Sequence, residues 1–176
     1  MSEADELLRA NTEWAAAFDR GSTPLPPKRR LAIVTCMDAR ILPSKVLGLE
    51  VGDAHIIRNA GAIVTEDALR SLLVSHHLLK TKEIMVIAHS DCGLTKSTDE
   101  ELLSMMEDRS GTPVFAPSSF HAFKNPEENV RKQLKKLRAH PWIEADAIRG
   151  FVFDVQTGRL NEVFETGTHP PVKSKK

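Results

Sequence analysis

The chain is 176 residues long and 41% hydrophobic, enough to bury a substantial core and short enough to form one domain. Its 24 Lys and Arg balance 24 Asp and Glu, and apart from Lys173, Lys175 and Lys176 no basic block occurs, which argues against a nucleic acid partner. No stretch approaches the roughly 18 apolar residues of a membrane span, and the acidic start (Glu3, Asp5, Glu6) lacks the basic and apolar regions of a secretory leader, so a cytoplasmic protein is expected.

Leu7, Leu8, Trp14, Ala15 and Phe18 recur at helical spacing before Gly21, which predicts an amphipathic helix over 7–18. A proline-rich connector over 23–28 leads into Leu31–Thr35, a β-branched run suited to a strand buried on both faces. His55–Arg58 reads as a second strand, 65–79 as a helix and Glu83–Ala88 as a third strand. Beyond Cys92 a helix is expected over 99–107, a Gly/Pro-punctuated loop over 110–119, and a basic amphipathic helix over 125–137. The charges of that last helix (Arg131, Lys132, Lys135, Lys136, Arg138) read as a solvated face. A strand over 150–156, a turn at 157–159 and a return strand over 160–164 close the pattern. Strands alternating with helices predict an α/β fold with a mostly parallel central sheet flanked by helices. The expected organisation is a single domain over 1–176, with an N-terminal helical arm (1–22), an α/β core (30–165) and a flexible basic tail (166–176).

The chemistry sits at strand ends. Cys36 closes the first strand, and His89 and Cys92 follow the third, so all three meet in the crevice outside the carboxyl ends of a parallel sheet. They are the only two cysteines and a histidine separated from the second of them by a two-residue spacer, with Gly93 read as permitting a tight turn. One His and two Cys make a three-ligand zinc set whose fourth tetrahedral position stays open, the arrangement of a catalytic zinc. Such a metal lowers the pKa of its water to about 7 and provides a nucleophile for small electrophilic carbon. In Cys36-Met37-Asp38-Ala39-Arg40 an extended backbone would turn Cys36, Asp38 and Arg40 to one side. Asp38 then either accepts a hydrogen bond from the nucleophile while Arg40 keeps it ionised, or takes the fourth zinc position itself. Two buried thiols beside an unrelated histidine are the plain structural alternative. Asp91 is read as bonding backbone at its turn, with a catalytic role as the lesser alternative.

Cys36-x-Asp38-x-Arg40, Arg58-Asn59-x-Gly61 and His89-x-x-Cys92-Gly93 resemble, in order and approximate spacing, the motifs of the β-carbonic anhydrases, over about residues 30–160. The resemblance implies one Zn²⁺ per subunit, a homodimer or homotetramer with active sites near the subunit boundary, and an N-terminal helix that embraces a neighbour. It implies reversible hydration of CO₂ to bicarbonate. Plant-type relatives line the pocket with a Gln upstream of the first motif and with a Tyr, whereas this chain has no tyrosine and its glutamines are Gln133 and Gln156. It therefore resembles the compact microbial branch that includes carbonyl sulfide hydrolases and, more distantly, carbon disulfide hydrolases. COS hydrolysis at the same site is the alternative reaction, and a silent zinc-binding domain a third reading. Aligned on that resemblance, the pocket positions fall near His55 and Val74, where His55 either lines the pocket, shuttles protons or is a partly buried structural histidine. Arg58 either anchors the active-site loop, binds an anion such as bicarbonate or makes a structural salt bridge, and Gly61 is read as allowing close backbone approach.

Overall fold

A computed structural model describes residues 2–113, 117 and 119–164, so the basic tail over 166–176 lies outside the described residues. Five strands, β1 (Leu31–Cys36), β2 (Ala54–Asn59), β3 (Glu83–His89), β4 (Ala147–Phe153) and β5 (Leu160–Val163), form one sheet in the order β2-β1-β3-β4-β5. The first four are mutually parallel and β5 returns antiparallel on β4. The chain leaves β1 for β2 on one side and comes back to β3 on the other, so the strand order reverses between β1 and β3. Such a reversal opens a crevice at the strands' carboxyl ends, because the two crossovers depart in opposite directions.

The β-branched run of β1 is buried on both faces, as a central parallel strand must be. On one face Ala32, Val34, Val86 and Ala88 pack with Val130, Leu134 and Leu137 of the helix α5 (Pro126–Arg138) and Leu72 of α3 (Glu66–His77). Full burial of each large aliphatic side chain contributes about 1.5–3 kcal/mol. At Gly150 of β4 an added Cβ would lie 2.3 Å from Val130 Cγ1, so α5 rests directly on that strand because no side chain stands there. On the other face Ile33, Ile41, Ile87, Phe151 and Phe153 form a second core that takes in Cys36 and Cys92.

Local chemistry sets the helix ends. Thr65 caps α3 through Ala68 N, Thr98 and Glu101 form a reciprocal capping box on α4 (Asp99–Ser110), and Asn125 caps α5 just before Pro126. The short α2 (Pro43–Leu47) is an addition to the sequence expectation, since five residues are too few to show a period. The fourth strand begins and ends three residues earlier than expected. Asp154 starts the turn, accepting from Gln156 N and Thr157 N through Oδ1, while Ala147 and Ile148 pair with Glu83 and Ile84. The basic charges of α5 also depart from a solvated face: Arg131 donates to Phe164 O, Lys136 to Val64 O and Arg138 to Ile148 O.

The N-terminal helix α1 (Glu3–Ala16) opens on a Ser2/Asp5 capping box and buries none of its residues. Leu7 and Leu8 are about two-thirds exposed, at 68% and 65%, and Trp14 stacks on Phe18 at 4.6 Å. Among the described residues no helix is long and apolar enough to cross a membrane.

Candidate metal centre

Cys36 is the last residue of β1 and His89 the last of β3, so the parallel pairing of these strands brings them side by side at the crevice. The chain then turns through Ser90 and Asp91 and returns Cys92. The turn's left-handed residue is Asp91 (φ 54°), not Gly93, which begins a short 3₁₀ turn (Gly93–Thr95) with open space around it. Aspartate tolerates this conformation better than most side chains. The donor atoms of Cys36, His89 and Cys92 all lie within 4.8 Å of one another, and all three residues are buried.

Two observations show that this cluster suits a cation. His89 Nδ1 sits 2.9 Å from Ser90 O, and a carbonyl can only accept, so Nδ1 carries the proton and Nε2 keeps a lone pair. Nε2 is buried and has no hydrogen-bond partner among the described residues, an orphaned acceptor aimed at the two sulfurs. The sulfurs themselves form an asymmetric pair. The neighbouring Cys92 sulfur, aided by His89 and Gly61 N–H and opposed by burial, draws the Cys36 thiol below its ordinary range. The Cys36 thiolate and burial together push Cys92 above its ordinary range. One sulfur ionises readily, and the second needs a positive ion beside it. Cys₂His with an open fourth position is a donor set for Zn²⁺.

Asp38 stands next to the cluster, its Oδ2 3.7 Å from His89 Nε2. The expected pairing with Arg40 is present, but through a turn rather than an extended strand. β1 ends at Cys36, and Arg40 folds back, its backbone N donating to Asp38 Oδ1 at 2.9 Å and Ile41 N donating to Asp38 O. The guanidinium then grips the carboxylate at both oxygens, Nε to Oδ1 at 3.0 Å and Nη2 to Oδ2 at 2.8 Å. That fork, more than the opposing desolvation, holds Asp38 far below the usual carboxylate range and hence ionised.

A carbonic anhydrase family model matches residues 31–160. The chain belongs to the β-carbonic anhydrase family. It is 42% identical to β-carbonic anhydrase 1 of Mycobacterium tuberculosis over 93% of this chain and 99% of that protein. It is 37% identical to a carbon disulfide hydrolase of an Acidianus strain, over 90% of this chain and 87% of that one. The crystal structure of carbonic anhydrase from Streptococcus mutans superposes with a TM-score of 0.88 at 41% identity, covering 93% of this chain and 99% of that one.

The other sequence-selected residues divide into two groups. Arg58 and Gly61 join the cluster. Arg58 Nε donates to Cys36 O at 3.0 Å and Nη2 to Asp38 O at 2.8 Å, so it fastens the loop that carries Cys36 and Asp38. Gly61 (φ 81°) approaches closely enough for its N–H to donate to Cys36 Sγ at 3.4 Å. A Cβ there would meet Leu94 Cδ1 at 2.8 Å and Phe123 Cε1 at 2.9 Å. His55 and Val74 are brought together elsewhere. His55 pairs in register with Ala32, at the far end of β2 from the Asn59–Cys36 pair, and with Val74 it borders a separate cavity of about 390 Å³. Its Nδ1 is 2.7 Å from Ser75 Oγ.

Two partners escaped the sequence reading. Among the described residues no backbone group donates to the Asp91 carboxylate. That carboxylate accepts from Arg40 Nη1 at 3.0 Å and pairs with Lys96 Nζ at 2.6 Å, so Arg40 is held between two carboxylates. The signal available in sequence was only the spacing of Asp91 and Lys96 after His89, which fixes neither direction. A larger cavity of about 760 Å³ lies beside α5, bordered by Phe123, Asn129 and Gln133, and does not include the three donors.

Proposed function

We propose that this protein is a zinc-dependent carbonic anhydrase that hydrates CO₂ reversibly to bicarbonate and a proton, with Cys36, His89 and Cys92 as the zinc ligands. The observation that carries the proposal is the orphaned, buried Nε2 of His89 facing two sulfurs, with an ionised carboxylate alongside. Zinc bound there would act as a Lewis acid that brings the pKa of water to about 7. Asp38, kept charged by Arg40, accepts a hydrogen bond from the attacking water and orients its lone pair toward the substrate carbon. Both Asp38 oxygens are engaged by Arg40, which favours action from beside the metal over a place in its coordination sphere. Arg40 remains protonated throughout and serves to hold Asp38. Arg58 sets the backbone of residues 36–38 and so the spacing between the first ligand and Asp38.

Hydrolysis of a sulfur-containing triatomic is the second reading, supported by the similarity to a carbon disulfide hydrolase. For COS the same attack gives H₂S and CO₂. We also propose a homo-oligomer, dimer or tetramer, in the cytoplasm: α1 exposes an apolar face that its own subunit leaves uncovered, and a helix of 14 residues standing alone is marginal in water. An active site near a subunit boundary would give the His55–Val74 cavity access to another copy's cluster.

The test is CO₂ hydration and H₂S release from COS, measured side by side on zinc-quantified protein. Fast hydration with negligible H₂S is the expected result. Rapid zinc-dependent H₂S release with feeble hydration would make COS the substrate, and blank assays on fully loaded protein would leave only a zinc-binding role.

A further inference from the structure

Helix α5 buries two carboxamides, Asn129 at 5% exposure and Gln133 at 4%, one helical turn apart and outside the ring of residues assigned above. A buried amide costs free energy unless its hydrogen bonds are satisfied. Both are satisfied, and by the same loop. Val64 N–H donates to Gln133 Oε1 at 3.0 Å, Gln133 Nε2 donates to Asn129 Oδ1 at 2.8 Å, and Asn129 Nδ2 donates to Gly61 O at 3.0 Å. The orientation of the two amides is unique. Val64 N–H is a donor and forces an oxygen toward it, Gly61 C=O is an acceptor and forces a nitrogen toward it, and only one arrangement of the pair meets both ends.

The loop so clamped runs from the end of β2 into α3 and contains two consecutive left-handed residues, Gly61 at φ 81° and Ala62 at φ 57°. For alanine that conformation is strained and persists only where its surroundings impose it. The same Gly61 peptide whose carbonyl Asn129 holds points its N–H at Cys36 Sγ. We propose that Asn129 and Gln133 are positioning residues for the metal centre, fixing the Gly61 peptide so that its N–H withdraws charge from the Cys36 sulfur and sets how strongly that sulfur binds zinc. A purely structural pair would hold α5 against the loop without reaching the ligand, whereas here a single peptide plane links amide and sulfur. The proposal rests on Cys36 being a zinc ligand.

The experiment uses the full chain loaded with Co²⁺, whose sulfur-to-metal charge-transfer band reports the cobalt–thiolate bond, together with zinc transfer to a chelator. Asn129→Leu removes the donor to Gly61 O. The expected result is a displaced band and a zinc affinity weaker by roughly 10- to 100-fold, the usual effect of losing a group that supports a ligand. Gln133→Met, one link further away, is expected to shift both in the same direction by less, and it serves if Asn129→Leu fails to fold. Val130→Ala, which removes core packing from the neighbouring position of the same helix, is expected to lower stability while leaving band and affinity unchanged. An Asn129 or Gln133 variant with parental band and affinity, or a Val130→Ala band displaced as far as theirs, would overturn the proposal. A parent protein that shows no thiolate band at all would instead overturn the zinc assignment of Cys36.

Discussion

Replacing Gly61 by alanine tests whether the loop under Cys36 is held by backbone conformation and packing. At φ 81° an L side chain costs about 1–2 kcal/mol in the left-handed region. The new Cβ would also lie 2.8 Å from Leu94 Cδ1 and 2.9 Å from Phe123 Cε1, both inside normal contact, and overfilling a packed site costs about 1–3 kcal/mol. The sum, about 2–5 kcal/mol, is a large part of the 5–15 kcal/mol that separates folded from unfolded chains. Thermal unfolding should be followed on chelator-treated protein, because bound metal adds its own stabilisation and would mask the loss. For a chain of this length each kcal/mol lowers Tm by about 2–4 °C. Adding Phe123→Leu should recover part of the packing share and none of the backbone share, giving a double variant more stable than the two single losses predict. A Gly61→Ala protein that melts with the parent would refute the reasoning, and so would strict additivity with Phe123→Leu.

Asp38→Asn should keep its zinc and lose roughly 100-fold or more in turnover, since the amide cannot accept and orient as the carboxylate does. Cys92→Ser should lose the metal itself, read by zinc content after dialysis. Asp91→Asn, by contrast, should change kcat/KM by no more than about fivefold, and less in high salt, because solvent and ions screen an exposed ion pair. The Arg40–Asp91 pair has side chains 47% and 50% exposed, against 17% for Asp38, and a 100-fold loss that salt does not alter would contradict that ranking. Asp99 accepts from Ser119 Oγ, Phe120 N and Ala122 N, and these bonds, Ser119 foremost, lower its pKa. A lowered folded-state pKa means stabilisation that is complete above the ordinary carboxylate value of about 3.9 and lost as pH falls through the folded value. Hydrogen-exchange protection at Phe120 and Ala122 should therefore be constant near neutrality and fall in acid, and Asp99→Asn should remove that pH dependence.

The parallel core was legible because β1 and β3 are predominantly apolar runs, rich in β-branched residues, that end on Cys36 and His89, so hydrophobic pattern and chemistry pointed to the same sheet edge. What the pattern could not show is how turns aim side chains. The Asp38–Arg40 pair was expected from strand alternation and arises instead from a turn in which Asp38 caps the backbone of Arg40. The left-handed position was expected at Gly93 and belongs to Asp91, since a glycine permits positive φ without requiring it. In α5 the charged residues drew attention as a solvated face, while Asn129 and Gln133, polar letters in a polar helix, gave no sign that they were buried. Their partners are main-chain groups 68 and 69 residues away, and a one-dimensional pattern carries no record of a backbone carbonyl or amide.

That last point bears on how the centre is built. Cys36 is held through its own carbonyl by Arg58 and through its sulfur by Gly61 N–H, Asp38 through its carbonyl by Arg58, and His89 through Ser90 O. Cys36, Asp38 and His89 are thus each fixed by a bond in which at least one partner is main chain, supplied by strand ends and loops of the β1–β3 crevice. Side chains enter where a charge must be set, as Arg40 does for Asp38, or where a peptide plane must be turned, as Asn129 does for Gly61. Substitution of the surrounding apolar residues should accordingly alter the walls met by the substrate more readily than the donor geometry. Differences of wall size are worth only about 1–3 kcal/mol between small apolar substrates. A donor set anchored in this way can stay constant while the preference between two small apolar substrates shifts by roughly 10- to 100-fold, on the order of what those wall energies allow.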